Sequence, residues 1–244
     1  MSTLARSSAT LRNWADPADE TAELSRLEAR LPPLLSVIAG MVDLTGFFTL
    51  GHVFTAHVTG NLVVAAAAAV HGGPFNPAQI LAIPVFMLAV AAVWLIAQAS
   101  DRRGPSLARL LLLVQFMLLA AVLIFSIVTR PSADPQGVAA GIVVMIAVAA
   151  MACQYALLRL AIPGAISTAV MTGNLTNTVL SLMDLLSRRH RALLPVDAGR
   201  LRRSCHLLLG FLLGCVVSAS AVSVLGDWTW SLPVLLSALA IAIR

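Results

Sequence analysis

From Leu34 to Val70 the chain carries one carboxylate, Asp43, and no arginine. One bilayer crossing needs about 20 apolar residues, so this run is too long for a single straight span. Lipid offers no hydrogen bonds to the backbone, and a chain immersed in it satisfies its N–H and C=O groups as helix. Further apolar runs lie at 78–99, 107–129, 137–158, 164–186, 204–225 and 228–243. Charged residues make up 11% of the chain and hydrophobic ones 59%, against about a quarter charged in a soluble domain. The expectation is an all-α membrane protein whose main partner is the lipid bilayer.

The sixteen basic residues are all arginine and leave a net charge of +5. The arginines fall between apolar runs, where positive charge marks cytoplasmic loops, so nucleic-acid binding is the wrong reading of the high pI. Arg102, Arg103 and Arg109 form one basic loop; Arg188, Arg189, Arg191, Arg200, Arg202 and Arg203 form another. If 34–70 and 137–186 each make one net crossing, both basic loops and both termini share a side. Eight full crossings would put the two basic loops on opposite faces. We therefore expect six net crossings, in a bacterial inner membrane, with both termini cytoplasmic. Residues 1–32 read as a polar cytoplasmic tail with a surface helix over 17–30, set off from the first span by Pro32 and Pro33. Trp228 and Trp230 read as interfacial anchors of the last span.

The two long runs share a motif. Thr55-Ala56-His57-Val58-Thr59-Gly60-Asn61-Leu62 matches Thr168-Ala169-Val170-Met171-Thr172-Gly173-Asn174-Leu175 at six of its eight positions, and Gly51 matches Gly164 at the same offset. Each copy precedes two further apolar spans and an arginine-rich loop. This divides the membrane part into repeats at 33–130 and 131–244. Three crossings per repeat is an odd number, so the second enters inverted, the plan of many secondary transporters.

Glycine weakens a helix, and Asn and Thr compete for backbone bonds. Thr59-Gly60-Asn61 and Thr172-Gly173-Asn174 are therefore expected to break or re-enter their helices. Free N–H groups at the helix starts would favour an anionic or polar solute. With His57 and Gln154 these six residues form the candidate solute-binding set. The alternative is close packing through small residues, with Asn61 and Asn174 as interhelical glue. Asp43 is costly inside a membrane and should pair with His52, His57 or Arg159; it is the candidate proton-coupling residue. Gly210-x-x-x-Gly214 permits close helix contact, within the chain or between two protomers of a homodimer. Cys153, Cys205 and Cys215 read as small apolar packing residues. No spacing suggests a metal site or a bound cofactor, and no enzyme motif occurs.

Gly40-Met41-Val42-Asp43, Phe47 or Phe48, Gly51, Phe54 and Thr59-Gly60-Asn61 resemble the first signature of the YoaK family of bacterial inner-membrane proteins, and Val170-Met171-Thr172-Gly173-Asn174-Leu175 resembles the second. The resemblance covers residues 33–242. It departs from the family at Ala152-Cys153-Gln154-Tyr155-Ala156, where Gly-x-Gln-Asn-Ala is the pattern. Membership implies a multi-pass membrane protein and no established substrate. The leading expectation is a small secondary transporter or exporter of an unidentified small solute. A non-transporting scaffold or regulatory module is the alternative, and an intramembrane enzyme a third.

Overall fold

The computed structural model describes residues 17–71, 76–187 and 194–243. Among them the chain forms eight α-helices and no strand: α1 (Pro17–Thr49), α2 (Gly60–His71), α3 (Pro77–Ala99), α4 (Gly104–Thr129), α5 (Val138–Ala161), α6 (Met171–Ser187), α7 (Leu194–Leu225) and α8 (Ser231–Ala242). Short 3-10 segments follow α4 at Pro131–Ala133 and α7 at Gly226–Trp230. Five segments are long and apolar enough to cross a membrane: Thr21–Thr49, α3, α4, α5 and the 45-residue run Ala198–Ala242.

The helix starts and stops follow local chemistry. Asn76 caps α3, its Oδ1 accepting from the Ala78 N–H at 3.0 Å, with Pro77 in the first turn where no donor is missed. α1 ends in a Schellman turn: Gly51 is left-handed (φ +72°) and the His52 N–H donates to the Phe47 carbonyl at 3.1 Å. Gly51 is required twice, because a Cβ there would also meet the Asn76 amide and the Pro135 carbonyl, each at 2.6 Å.

Pro32 and Pro33 do not divide tail from span. α1 runs unbroken through both, and the expected boundary at residue 32 falls inside a helix whose earlier residues Leu27 and Leu31 already join the core. Packing outweighs the two missing donors here. α7 lies directly on α1, and the approach is so close that a Cβ at Gly210 would meet the Pro33 carbonyl at 2.9 Å, while Cβ atoms at Gly214 and Gly40 would clash with the Val37 and Phe211 carbonyls. Hydroxyls stitch the same seam: Ser36 donates to Leu207 O at 2.6 Å and Ser218 to Met41 O at 3.2 Å. The Gly210/Gly214 pair is thus used within the chain, as small-residue stripes in membranes commonly are.

α1 and α5 are the most buried spans, with 67% and 72% of their apolar windows enclosed, and α3 the least at 17%. The packing pairs exchange in a regular way: α1 lies on α7 and α5 on α3; α4 lies on α5 and α8 on α1; α2 lies on α3 and α6 on α7. One end of the bundle gathers Gly51, Asn76 and Pro135, with Ser132 bonded to Asp227. The other gathers Glu28, Pro32, Ile166, Arg203 and His206, with an Arg109–Glu23 ion pair between α4 and α1. Of the two tryptophans expected at an interface, Trp228 is exposed. Trp230 is fully buried in the core because the 3-10 segment turns it inward against α4 and α7.

Candidate functional site

The helical interruptions lie at residues 50–59 (loop 1) and 162–170 (loop 2). Gly60-Asn61 and Thr172-Gly173-Asn174 therefore stand at the start of the next helix, and Thr59 is the last residue of loop 1. Leu50 begins loop 1 at the end of α1, yet Thr55, Ala56 and His57 fold back against Asp43, six residues before that end. At 1.5 Å per residue the loop dips about 9 Å along α1. The chain then climbs α2 and comes back to its starting level, where Asn76 Nδ2 donates to Gly51 O at 3.1 Å and Gln79 Nε2 to His52 O at 3.3 Å.

Asp43 holds this loop. It is 3% exposed, and its Oδ1 accepts from three successive backbone N–H groups: Thr55 at 2.9 Å, Ala56 at 2.6 Å and His57 at 3.3 Å. Its Oδ2 lies 2.6 Å from His57 Nδ1. Four hydrogen bonds replace the lost hydration of a buried charge, the condition under which a membrane carboxylate is tolerable. The His57 ring stands edge-on to Phe211, centroids 5.0 Å apart, and its buried Nε2 has no partner among the described residues. Tyr155 on α5 grips the loop from the other side, its hydroxyl donating to Ala56 O at 3.1 Å.

Asn61 closes loop 1 on itself. Its Oδ1 accepts from Phe54 N and its Nδ2 donates to Phe54 O, both at 2.7 Å. Asn174 does the same work in loop 2, its Nδ2 donating to Ser167 O at 3.0 Å. Both asparagines reach seven residues back, the structural counterpart of the repeated motif. The positions 113 apart that pair Asn61 with Asn174 and Thr55 with Thr168 also pair Asp43 with Ala156 and His57 with Val170. Loop 2 therefore lacks the carboxylate clamp. A different anchor, Gln154 of α5, reaches it: Nε2 donates to Leu35 O at 3.0 Å and to Thr168 Oγ1 at 3.4 Å, while Oε1 accepts from Gln115 at 2.8 Å.

Of the expected site residues, Asp43 and His57 come together, and Asn61 lies in the same loop. Gln154 serves the other loop. Thr59 and Thr172 are exposed, Gly60 and Gly173 partly so, and Asn61 and Asn174 are buried. α2 and α6 pack on α3 and α7, not substantially on each other. The helix starts are also less open than expected: the N–H groups of Gly60, Asn61 and Leu62 already donate to His57, Val58 and Thr59 carbonyls, and Asn174 N–H to Val170 O. A tight turn before α2 satisfies its first donors, whereas the Asn174 bond is the ordinary i→i−4 bond of α6. Of the other partners considered for Asp43, His52 lies at the Schellman turn with φ +60°, and Arg159 is exposed in the last turn of α5. Arg188, Arg189 and Arg191 of the second basic loop lie outside the described residues.

A family of proteins described as "Protein of unknown function (DUF1275)" matches residues 31–243, nearly all of the helical bundle. The chain belongs to this family. UPF0700 transmembrane protein YoaK of Bacillus subtilis (strain 168) is 54% identical over 35 residues, which are 14% of this chain and 16% of that protein. No solved structure matches the chain. This member of the family is thus a membrane protein, and its function has to be argued from the site.

Three participants were not legible as site residues. Tyr155 is the only tyrosine in the chain and adjoins Gln154, but nothing in its position says that it reaches a carbonyl 99 residues away. Asn76 falls outside the apolar runs and is both a helix cap and a tie to Gly51. Thr45 meets Ser218 across the α1–α7 seam.

Proposed function

We propose that this family member is a small secondary transporter or exporter of an unidentified small solute, with Asp43 and His57 as its proton-coupling pair. Six crossings would be made by α1, α3, α4, α5, α7 and α8, with α2 and α6 as the helical arms of re-entrant segments. The run Ala198–Ala242 supports two of these crossings, being broken at left-handed Gly226 (φ +55°) and long enough for two spans of about 20 residues. The exchanged packing pairs, and loops 1 and 2 at opposite ends of the bundle, support the inverted arrangement.

The observation that carries the reading is the Asp43 clamp. A buried carboxylate fixes a re-entrant loop by three backbone N–H bonds that need its Oδ1 as acceptor and by a fourth bond, between Oδ2 and His57 Nδ1. Adding a proton to it weakens those bonds and frees residues 55–57 to move, so proton uptake and loop position become one equilibrium. Asn61 and Asn174 already commit their amides to their own loops. In this reading they, with Gly60, Gly173 and Gln154, shape the path, and His57, Thr59 and Thr172 are the groups left to meet the solute.

The test is flux in proteoliposomes under an imposed proton gradient across a broad solute panel. We expect at least one solute to move faster than in empty vesicles, and Asp43→Asn to remove its dependence on the gradient. If no solute moves and Asp43→Asn alters no binding, transport is refuted. A scaffold or regulatory module is the second reading. It is favoured by the same saturation of Asn61 and Asn174 and by the close α1–α7 seam, and it predicts that stability, not flux, responds to changes at the clamp.

A further inference from the structure

A groove of about 490 Å³ opens between α3 and α5 at the loop-1 end of the bundle. This falls within the roughly 300–1,000 Å³ of ligand-binding clefts. Its lining is mostly apolar, with Pro77, Ala78 and Val138 at the helix starts and Leu81, Ile142, Met145 and Ile146 further along, and its two polar side chains, Asn76 and Gln136, both stand at the helix-start end. Among the described residues no charged one lines it. The Asn76 amide is already committed to Ala78 and Gly51, so the groove offers little to a polar solute.

Gly141 borders the open space of the groove. α3 and α5 pack together, yet a Cβ built at Gly141 would meet nothing within 4 Å. Both helices begin at the same end of the bundle, so the groove runs inward from that end. From Gly137 to Ile146 it descends nine residues of helix, about 14 Å. That is half of a hydrocarbon core about 30 Å thick, or one leaflet. The placement of the two polar side chains follows the same direction as a lipid, polar at the surface and apolar toward the midplane.

We propose that this groove is a binding site for one acyl chain of a bilayer phospholipid, drawn from the leaflet on the loop-1 side. The site is separate from Asp43 and does not rest on the transport reading. Because Asn76 at its mouth also ties down Gly51, the bound chain lies against the helix start that holds loop 1.

The experiment uses the full chain in phosphatidylcholine–phosphatidylethanolamine vesicles doped with phosphatidylcholine carrying a photoreactive group in its tail. After irradiation, labelled peptides are mapped. We expect labelling concentrated at Leu81 and across Ile142–Ile146, above that of other lipid-facing residues. Gly141→Phe puts a ring at the groove from a position where a Cβ meets nothing, and adds a better helix former than glycine. It should lower that labelling at least about tenfold, the cost of losing roughly two buried methylenes. Leu95→Phe, on the exposed far end of α3, should leave it unchanged. Even labelling over all lipid-facing helices, or concentrated labelling that survives Gly141→Phe, would overturn the proposal. Gly141→Ala guards against a folding artefact: it should fold as the wild type and retain labelling, and its loss would also count against an acyl-chain site.

Discussion

Loop 1 and loop 2 have the same Thr-Ala and Thr-Gly-Asn residues at the same offset, and in each an asparagine ties the following helix to a carbonyl seven residues back. They differ in what binds them to the bundle. Loop 1 is held through its backbone N–H groups by a carboxylate with a histidine beside it. Loop 2 is held through a threonine hydroxyl by a neutral carboxamide. What the copies share is architecture, since an asparagine clamp is useful to any chain that leaves a helix inside lipid. What only one copy has is the ionisable pair, and a titratable clamp is a reason to expect that loop 1 moves and loop 2 stays.

Breaking each anchor tests this difference. Asp43→Ala should have the largest effect. It leaves three N–H groups and His57 without their acceptor, and removing one partner of a buried charged network costs about 3–5 kcal/mol. Thermal unfolding in detergent should show a large drop, and a wild-type melting temperature would remove the carboxylate from its place in the comparison. Gln154→Leu should follow at about 2–3 kcal/mol, since Leu35 O, Gln115 and Thr168 lose a shared partner. Limited proteolysis should then show Gln154→Leu exposing loop 2 and Asp43→Ala exposing loop 1; the reverse pattern would contradict the assignment of anchors.

The glycines sharpen the contrast. Gly51→Ala places a side chain at φ +72° against the Pro135 carbonyl and should cost about 2 kcal/mol. Gly164→Ala meets only the tip of the Glu28 side chain, which can swing away, so its melting temperature should stay near that of the wild type. The smallest pair is Asn61→Ala against Asn174→Ala. Asn61 loses two bonds to Phe54 and Asn174 one to Ser167, so at about 1 kcal/mol per bond the first should fall roughly twice as far. Equal shifts would mean that the second bond in loop 1 contributes nothing.

Much of this was legible in the amino-acid order. Apolar runs without charge allow only helices in lipid, and the six-of-eight match between two of those runs announces a repeat whatever the packing. Asp43 stood out because an uncompensated carboxylate is so costly there, and the short list His52, His57 and Arg159 contained its partner. Asn61 and Asn174 stand in the first turns of α2 and α6, after the interruptions rather than at them.

The tertiary structure decided the rest, because it turns on distances between residues far apart in the chain. Pro32 and Pro33 look like a helix stop, and α1 continues through them because α7 packs against its carbonyls over Gly210 and Gly214. Trp230 looks like an interfacial anchor and is buried. The start of α2 looks like an open N–H site and is closed by a local turn. Whether Gln154 would serve its own half or the other, and whether Tyr155 would touch a loop at all, depended on which face of α5 met α1 and loop 1. Composition and periodicity determine that helices form and which faces are apolar. Only close packing decides which polar group a buried carboxylate or amide finds, because in lipid each such group must find one.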